Sequence, residues 1–241
     1  MTKIMLDPGH GGRDPGANAN GLQEKELTLD ISLRIRRIIE NEYDGVHVRL
    51  TRDQDIFIGL SERADMANAW GADFFLSVHI NAGGGEGFES YVYTAASERS
   101  VAYQNMIHPE IARATGRADR GKKQANFAVL RETNMPALLT ENLFIDYVAD
   151  AQLLKDPAML DAIARGHVNG LEKAFGLKRK QQGVGPFPDV PTSHWAAEAI
   201  QRMKDAGIMS GYEDGTFRPD QPVTRAELAV VVDRWYNKKG L

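Results

Sequence analysis

Leu6-Asp7-Pro8-Gly9-His10-Gly11-Gly12 is the stretch from which the fold of this 241-residue chain is read. The run leading into it, Lys3-Ile4-Met5-Leu6, is short and apolar, which reads as a buried strand. Asp-Pro-Gly ends that strand, because proline lacks the ladder N–H and glycine readily takes positive φ. His10 then lies on a tight turn just past a strand's C-terminal end, hemmed in by three glycines. A histidine so placed is a metal-ligand or acid–base candidate, or else a plain turn residue in a glycine-rich loop. Phosphate binding is the weaker reading, since no Gly-Lys-Ser/Thr closes the loop.

Outward from this point, residues 13 to 23 are rich in glycine and asparagine and read as a loop. Glu24 opens a helical pattern in which Leu27, Ile31, Ile35, Ile38 and Ile39 fall on one face. Glu24 and Glu26 in its first turn suit the helix dipole. Val46 to Thr51 alternates as a strand. Ser61 is the expected N-cap of a helix that Gly71 stops. Asp73 to Asn81 is a second strongly apolar strand, with His79 near its C-terminal end and Ala82-Gly-Gly-Gly85 after it. Glu89 to Thr94 is a further strand, followed by a helix around Ser100 to Thr115. Phe127–Leu130 and Ala137–Thr140 look like short strands, the second running into Glu141. Asp156-Pro157 caps a helix that Gly176 ends. Strands alternating with helices predict an α/β fold, a largely parallel twisted sheet flanked by helices. Ligand sites in such sheets form beyond the C-terminal strand ends, where His10, His79 and Glu141 all fall.

Composition narrows the function. A formal net charge of −4 argues against general electrostatic binding to nucleic acid. With no cysteine, there is neither a disulfide framework nor a thiolate zinc site, so any metal must use His, Asp or Glu. No apolar run approaches the ~18 residues of a membrane span, and strand-like sequence begins by residue 3. No membrane association is expected. The chain reads as made in the cytoplasm without a signal peptide, so any action on a cell wall would follow release.

Lys178 to Gly185 is polar, basic and without period, and reads as a linker. The expected boundaries are a domain over 1–177, a linker over 178–185 and a small helical module over 186–241. The module's helices are expected over Ala196–Ala206 and Arg225–Tyr236. Its loop lacks the regular acidic ligands of an EF-hand.

Taken in order, Asp7-Pro-Gly-His-Gly-Gly12, Glu24-Lys25, Leu50-Thr-Arg52, Leu60 with Arg63 and Ala67-Asn68, Ser77-Val-His-Ile-Asn-Ala82 and Pro136-Ala-Leu-Leu-Thr-Glu141 carry a family resemblance. Residues 3 to about 175 resemble the zinc-dependent N-acetylmuramoyl-L-alanine amidases that include sporulation autolysins and phage endolysins. The resemblance implies a Zn²⁺ cofactor held by His10, Glu24 and His79, with Glu141 as the catalytic carboxylate. Glu26 competes with Glu24 for the ligand role. Where the family follows that catalytic Glu with Gly-Phe, this chain has Asn142-Leu143-Phe144. Arg63 and Asn81 are candidate substrate contacts; ion pairing and turn formation are the alternative use for them and for Arg52. His47, His108 and His167 match no motif and are expected on the surface or in the core.

Residues 187 to 236 resemble a surface-layer homology module, through Trp195, Gly211-Tyr212, Asp214-Gly-Thr-Phe217 and Thr224-Arg-Ala-Glu227. This implies binding to a secondary polymer of the peptidoglycan wall, with Trp195, Tyr212 and Arg225 as candidate contacts. Such modules commonly come in threes, and this chain has one, so its uncovered apolar surface is expected either to pack on the first domain or to meet copies from other chains in self-association. The function implied is hydrolysis of the amide between N-acetylmuramic acid and L-alanine, lysing walls as an endolysin or a mother-cell autolysin. A zinc peptidase cutting within the stem peptide and a non-catalytic wall-binding protein are the alternatives.

Overall fold

The computed structural model describes residues 1–180, 185–192 and 194–238, and the chain divides into two compact units, Met1–Arg179 and Lys180–Leu241. In the first unit β1 (Thr2–Pro8) is followed by a miniature hairpin of β2 (Asn18–Ala19) and β3 (Leu22–Gln23). Sequence composition suggested only loop here. Asn20 and Gly21 both take positive φ, the condition for a two-residue hairpin turn. Helix α1 (Glu24–Glu42) buries its whole isoleucine stripe. Strands β4 (Tyr43–Asp44) and β5 (Val46–Leu50) and helix α2 (Leu60–Trp70) come next. The N-cap of α2 is Gly59, two residues ahead of the expected Ser61, and its N–H donates to the Glu62 carboxylate at 3.4 Å. Gly71 ends the helix at φ 65°.

Strands β6 (Phe74–Asn81) and β7 (Phe88–Tyr93), helix α3 (Glu98–Thr115) and strand β8 (Asp119–Ala125) follow. Then come the single turn α4 (Ala128–Arg131), β9 (Ala137–Phe144), α5 (Val148–Leu154), α6 (Pro157–Phe175) and β10 (Lys178–Arg179). The expected strand over Phe127–Leu130 is thus helical. Val129 and Leu130 are adjacent and both buried, which a two-sided pleat over a half-covered face would not produce. The strand in that region is β8, whose Asp-Arg-Gly-Lys-Lys-Gln-Ala sequence carries no apolar signal because it is a sheet edge. Lys178 and Arg179, read as linker, pair antiparallel with β4 and so belong to the first unit. Residues 181–184 of that expected linker lie outside the described residues.

The six-stranded sheet has the order β5-β1-β6-β9-β7-β8. Every neighbouring pair is parallel except β7–β9. The short 82–87 connection turns the chain back after β6, and β9 later fills the space between β6 and β7. One face of the sheet packs Leu6, Phe74, Leu76, Val78 and Ile80 against the apolar faces of α1, α3 and α6. The other packs Met5, Phe75 and Leu139 against Ala67, Val129 and Leu130. This second layer is the smaller of the two.

The second unit is small. Phe187, Val190, Ala197 and Ile200 make its core, with Phe187 stacked on Phe217 at 5.1 Å between ring centroids. Asp189 accepts from the backbone N–H groups of Phe217 and Arg218, which ties the loop to the core. Its helices are α7 (Ala197–Asp205) and α8 (Arg225–Lys238), and no residue of α8 is buried.

Candidate active site

The site grows from the end of β1. Asp7 is buried and accepts from Thr51 Oγ1 (2.7 Å), Arg63 Nη1 (2.8 Å) and Ser77 Oγ (2.7 Å). Arg63 also donates to the carbonyls of Pro8, His10 and Ile58. Arg52, fully buried, donates to the carbonyls of Pro8, Gly9 and Lys25. Burial, and then the neighbouring Arg63 charge, lower its pKa to about 10. Two guanidinium groups thereby grip the backbone on either side of Gly9. This holds His10 at φ 62°, a conformation that costs a non-glycine residue about 1–3 kcal/mol. Arg63, expected as a substrate contact, commits four of its five N–H donors to this scaffold.

The His10 ring places Nε2 3.1 Å from Glu24 Oε2 and Nδ1 2.9 Å from Asp14 Oδ2. His79, delivered by β6, places Nδ1 2.9 Å from Glu24 Oε1. Glu24 heads α1 and also accepts from the N–H groups of Ala17 (2.9 Å) and Ile80 (3.0 Å). Its carboxyl is therefore aimed by backbone from both sides. One donor atom each from His10, Glu24 and His79 lies within 4.8 Å of the others. Glycines make this approach possible. A Cβ on Gly9 would enter the His79 ring, and one on Gly16 (φ 65°) would come within 2.6 Å of both Glu24 Oε2 and His10 Cδ2.

Burial alone would lower the His10 pKa, but bonding to Glu24 and then Asp14 outweighs it and raises the value to about 9. Burial opposes the charged form of His79 as well, but the same carboxylate and then Glu141 raise its pKa, and Glu24 is held well below the usual carboxylate range by the two rings despite its burial. Two imidazoles and a carboxylate converging on one point are the donor set of an open zinc site with a fourth position left for water. Asp14, which sequence reasoning missed, sits where a carboxylate orients a ligating imidazole from behind. Its signal was the four-residue spacing from His10.

Glu141 lies opposite His79 on the parallel pair β6–β9 and opposite Glu89 on the antiparallel pair β7–β9. Its Oε2 is buried and has no hydrogen-bond partner among the described residues. Burial pushes its pKa up to about 7, with His79 pulling down and Glu24 and Glu89 pushing up. Just beyond it the ladder shifts register and Leu143 takes φ 70°, at the point where the sequence carries Asn142-Leu143-Phe144. Asn142 Nδ2 braces the turn by donating to the His79 carbonyl at 3.0 Å. Asn81 donates to Glu89 Oε1 at 2.8 Å. Glu26 is exposed and takes no part in the cluster. His108 is buried between Ser90 and Asp119, His167 is buried against Thr140, and His47 is exposed.

These features define an α/β enzyme with a candidate metal centre at its strand ends. Residues 4–173 match the N-acetylmuramoyl-L-alanine amidase family model, and residues 186–229 match that of the S-layer homology domain. The chain belongs to the N-acetylmuramoyl-L-alanine amidase family. It is 58% identical over 179 residues to a sporulation-specific N-acetylmuramoyl-L-alanine amidase of Bacillus subtilis, covering 74% of this chain and 70% of that one. It is 40% identical to an endolysin of Bacillus phage SPP1, covering 100% of this chain and 91% of that one. The catalytic domain of the amidase CwlV from Bacillus (Paenibacillus) polymyxa superposes with a TM-score of 0.70 at 33% identity, covering 74% of this chain and all of that one. No helix among the described residues is long and apolar enough to cross a membrane.

Proposed function

We propose that this chain is a zinc-dependent hydrolase cutting the amide between N-acetylmuramic acid and the first L-alanine of peptidoglycan. His10, Glu24 and His79 hold the ion, and Glu141 is the acid–base residue. The observation that carries this reading is the three-donor cluster beside a buried carboxyl whose Oε2 has no partner among the described residues. A bound zinc ion would polarise the lactyl carbonyl and lower the pKa of water toward about 7. Glu141 takes a proton from the water that adds to the lactyl carbonyl carbon. It then delivers that proton to the alanine nitrogen as the C–N bond breaks. A carboxyl poised near neutrality suits both halves of this task. Asp7, Arg63 and Arg52 do not touch substrate; they fix the His10 turn.

Mass spectrometry of digested peptidoglycan tests the bond cut. Free stem peptides beginning with L-alanine, together with intact glycan strands, are expected. Cuts inside the stem would instead support the peptidase alternative. Chelation should abolish lysis and zinc restore it; full activity in thoroughly metal-free protein would remove the metal assignment.

The 40% match along the whole chain to a phage endolysin supports release of this protein from within a lysing cell. The second unit would hold it on a secondary wall polymer. Trp195 is 90% exposed, and Tyr212 lines a cleft of about 620 Å³ with Phe217, Val223 and Arg234. Arg225 borders a separate exposed surface of α8 with Leu228, Val232 and Tyr236. Pairing of α8 between copies would cover that stripe and give the expected self-association, which light scattering measures.

A further inference from the structure

Two strands away from Glu141, the sheet edge holds a cluster of charges that the proposed hydrolysis does not use. Glu89 on β7 is buried, and its carboxylate receives four donors. Asn81 Nδ2 (2.8 Å) and Tyr91 OH (2.6 Å) reach Oε1; Arg120 Nε (2.8 Å) and Lys123 Nζ (2.5 Å) reach Oε2. Arg120 and Lys123 are three residues apart on β8, and plain alternation would send them to opposite faces of the sheet. A bulge prevents this. The β7–β8 register slips between Phe88 and Ser90, with Gly121 at φ 89°, so both cations reach the one carboxylate. Bulges are commonly found where an active site needs a side chain re-aimed.

The cluster is over-supplied with positive charge. Two cations face one carboxylate, and both cationic side chains keep 36% of their surface exposed. Only the Nε of Arg120 is engaged. Its terminal nitrogens have no hydrogen-bond acceptor among the described residues, and Nη1 lies beside Gly85 in the loop that follows β6. The guanidinium also lies over the Phe144 ring, 4.9 Å from its centroid, which orients it without using a donor. Among the described residues the Lys123 ammonium bonds only to Glu89, and it lies 5.8 Å from the centre of the Tyr91 ring. Glu89 thus acts as a fixed mount for two cations whose free donors point past it. A planar guanidinium beside an ammonium is a natural receiver for a carboxylate.

Resting on the amidase reading above, we infer that Arg120 and Lys123 form a subsite for a carboxylate of the stem peptide on the amine side of the scissile bond. In a stem whose second residue is an acidic amino acid joined through its side chain, an α-carboxylate stands free next to the first alanine. Two extended residues span about 7 Å, and the Glu141 and Lys123 backbones, two strand spacings apart and offset by two residues along the strand, lie about 12 Å from each other. The long cationic side chains close the difference. The subsite would make the enzyme select walls whose second stem residue carries a free carboxylate over those in which it is amidated.

The test uses the full chain with zinc and two soluble muramyl-peptides that differ only in carboxylate or carboxamide at that position. The wild type is expected to favour the carboxylate in kcat/KM by about tenfold or more, the scale of a charge-assisted hydrogen bond. In Arg120→Gln and in Lys123→Met the preference should fall toward parity, through KM of the carboxylate substrate. Lys123→Arg should retain it. Equal rates on both substrates in the wild type, or an undiminished preference in both charge-removing variants, would overturn the inference. Cleavage of neither substrate by wild type would instead sink the amidase reading and take this subsite with it.

Discussion

Glu141 and His79 face each other in register across the parallel strands β9 and β6, so a candidate ligand and a candidate base share one rung of the sheet. The rung continues to Glu89 on β7. Because all three residues are set by one hydrogen-bonded ladder, their spacing is a property of sheet geometry rather than of loop conformation. This separates binding a metal from moving a proton. Glu141→Gln is expected to keep its zinc and lose 10²–10⁴-fold in kcat, the range of general acid–base catalysis. Metal analysis and turnover on one sample decide it: a variant that lost its zinc would make Glu141 a ligand.

Asp14 is bonded to the far nitrogen of the His10 ring, 2.9 Å away. Replacing it with alanine frees the ring and should weaken zinc binding about 10–100-fold, as for other carboxylates behind a ligating histidine. Competition with a chromogenic chelator measures this. An unchanged affinity would leave Asp14 a surface residue.

A zinc ion held as proposed would compete with protons for the same atoms. Bonding to Glu24 and Asp14 raises the His10 pKa above its ordinary 6.5, to about 9. The folded value is the higher one, so the stabilisation is complete below about 6.5 and lost as pH rises through about 9. The midpoint of thermal unfolding of metal-free protein should therefore fall across this window. The increment on adding zinc should grow over the same range, because the ligating imidazoles must be neutral. Calorimetry at several pH values with and without zinc checks both signs; a zinc increment that shrank would contradict His10 as a ligand.

Asp7→Ala should cost about 3–5 kcal/mol of stability, since it strands the buried Arg63 guanidinium opposite an empty space. Denaturant titration of the metal-free protein reads this directly. A cost below 1 kcal/mol would mean that the carbonyls of Pro8, His10 and Ile58 suffice to hold Arg63.

Removing residues 180–241 is expected to spare hydrolysis of a small soluble muramyl-peptide while weakening retention on intact walls. If the full chain also self-associates, avidity of about 10²–10⁴-fold would be lost with the module. Wall pull-down and light scattering on both proteins separate the two effects. Equal pull-down would remove the targeting role.

Much of this was legible in sequence because burial period is a property of contiguous residues. The isoleucine stripe of α1, the apolar β1 and β6 and the glycine stops at 71 and 176 each announce themselves within about one element. So does the tendency of His10, His79 and Glu141 to fall at strand ends. The sequence by itself determined the α/β class, the order of its main elements and which residue types were available for a metal. Only tertiary structure decided what lies beside what. β9 inserts between β6 and β7, which puts Glu141 between His79 and Glu89, and nothing in the local pattern of Ala137–Phe144 states that neighbour. β8 was invisible because an edge strand needs no apolar alternation, and Phe127–Leu130 was misread because four apolar residues cannot fix a period. The work of Arg63 on the His10 turn, of Asp14 on its ring and of the Gly121 bulge on Lys123 rests on contacts between residues that only folding brings together. Side-chain direction and long-range pairing, unlike period, belong to the assembled sheet.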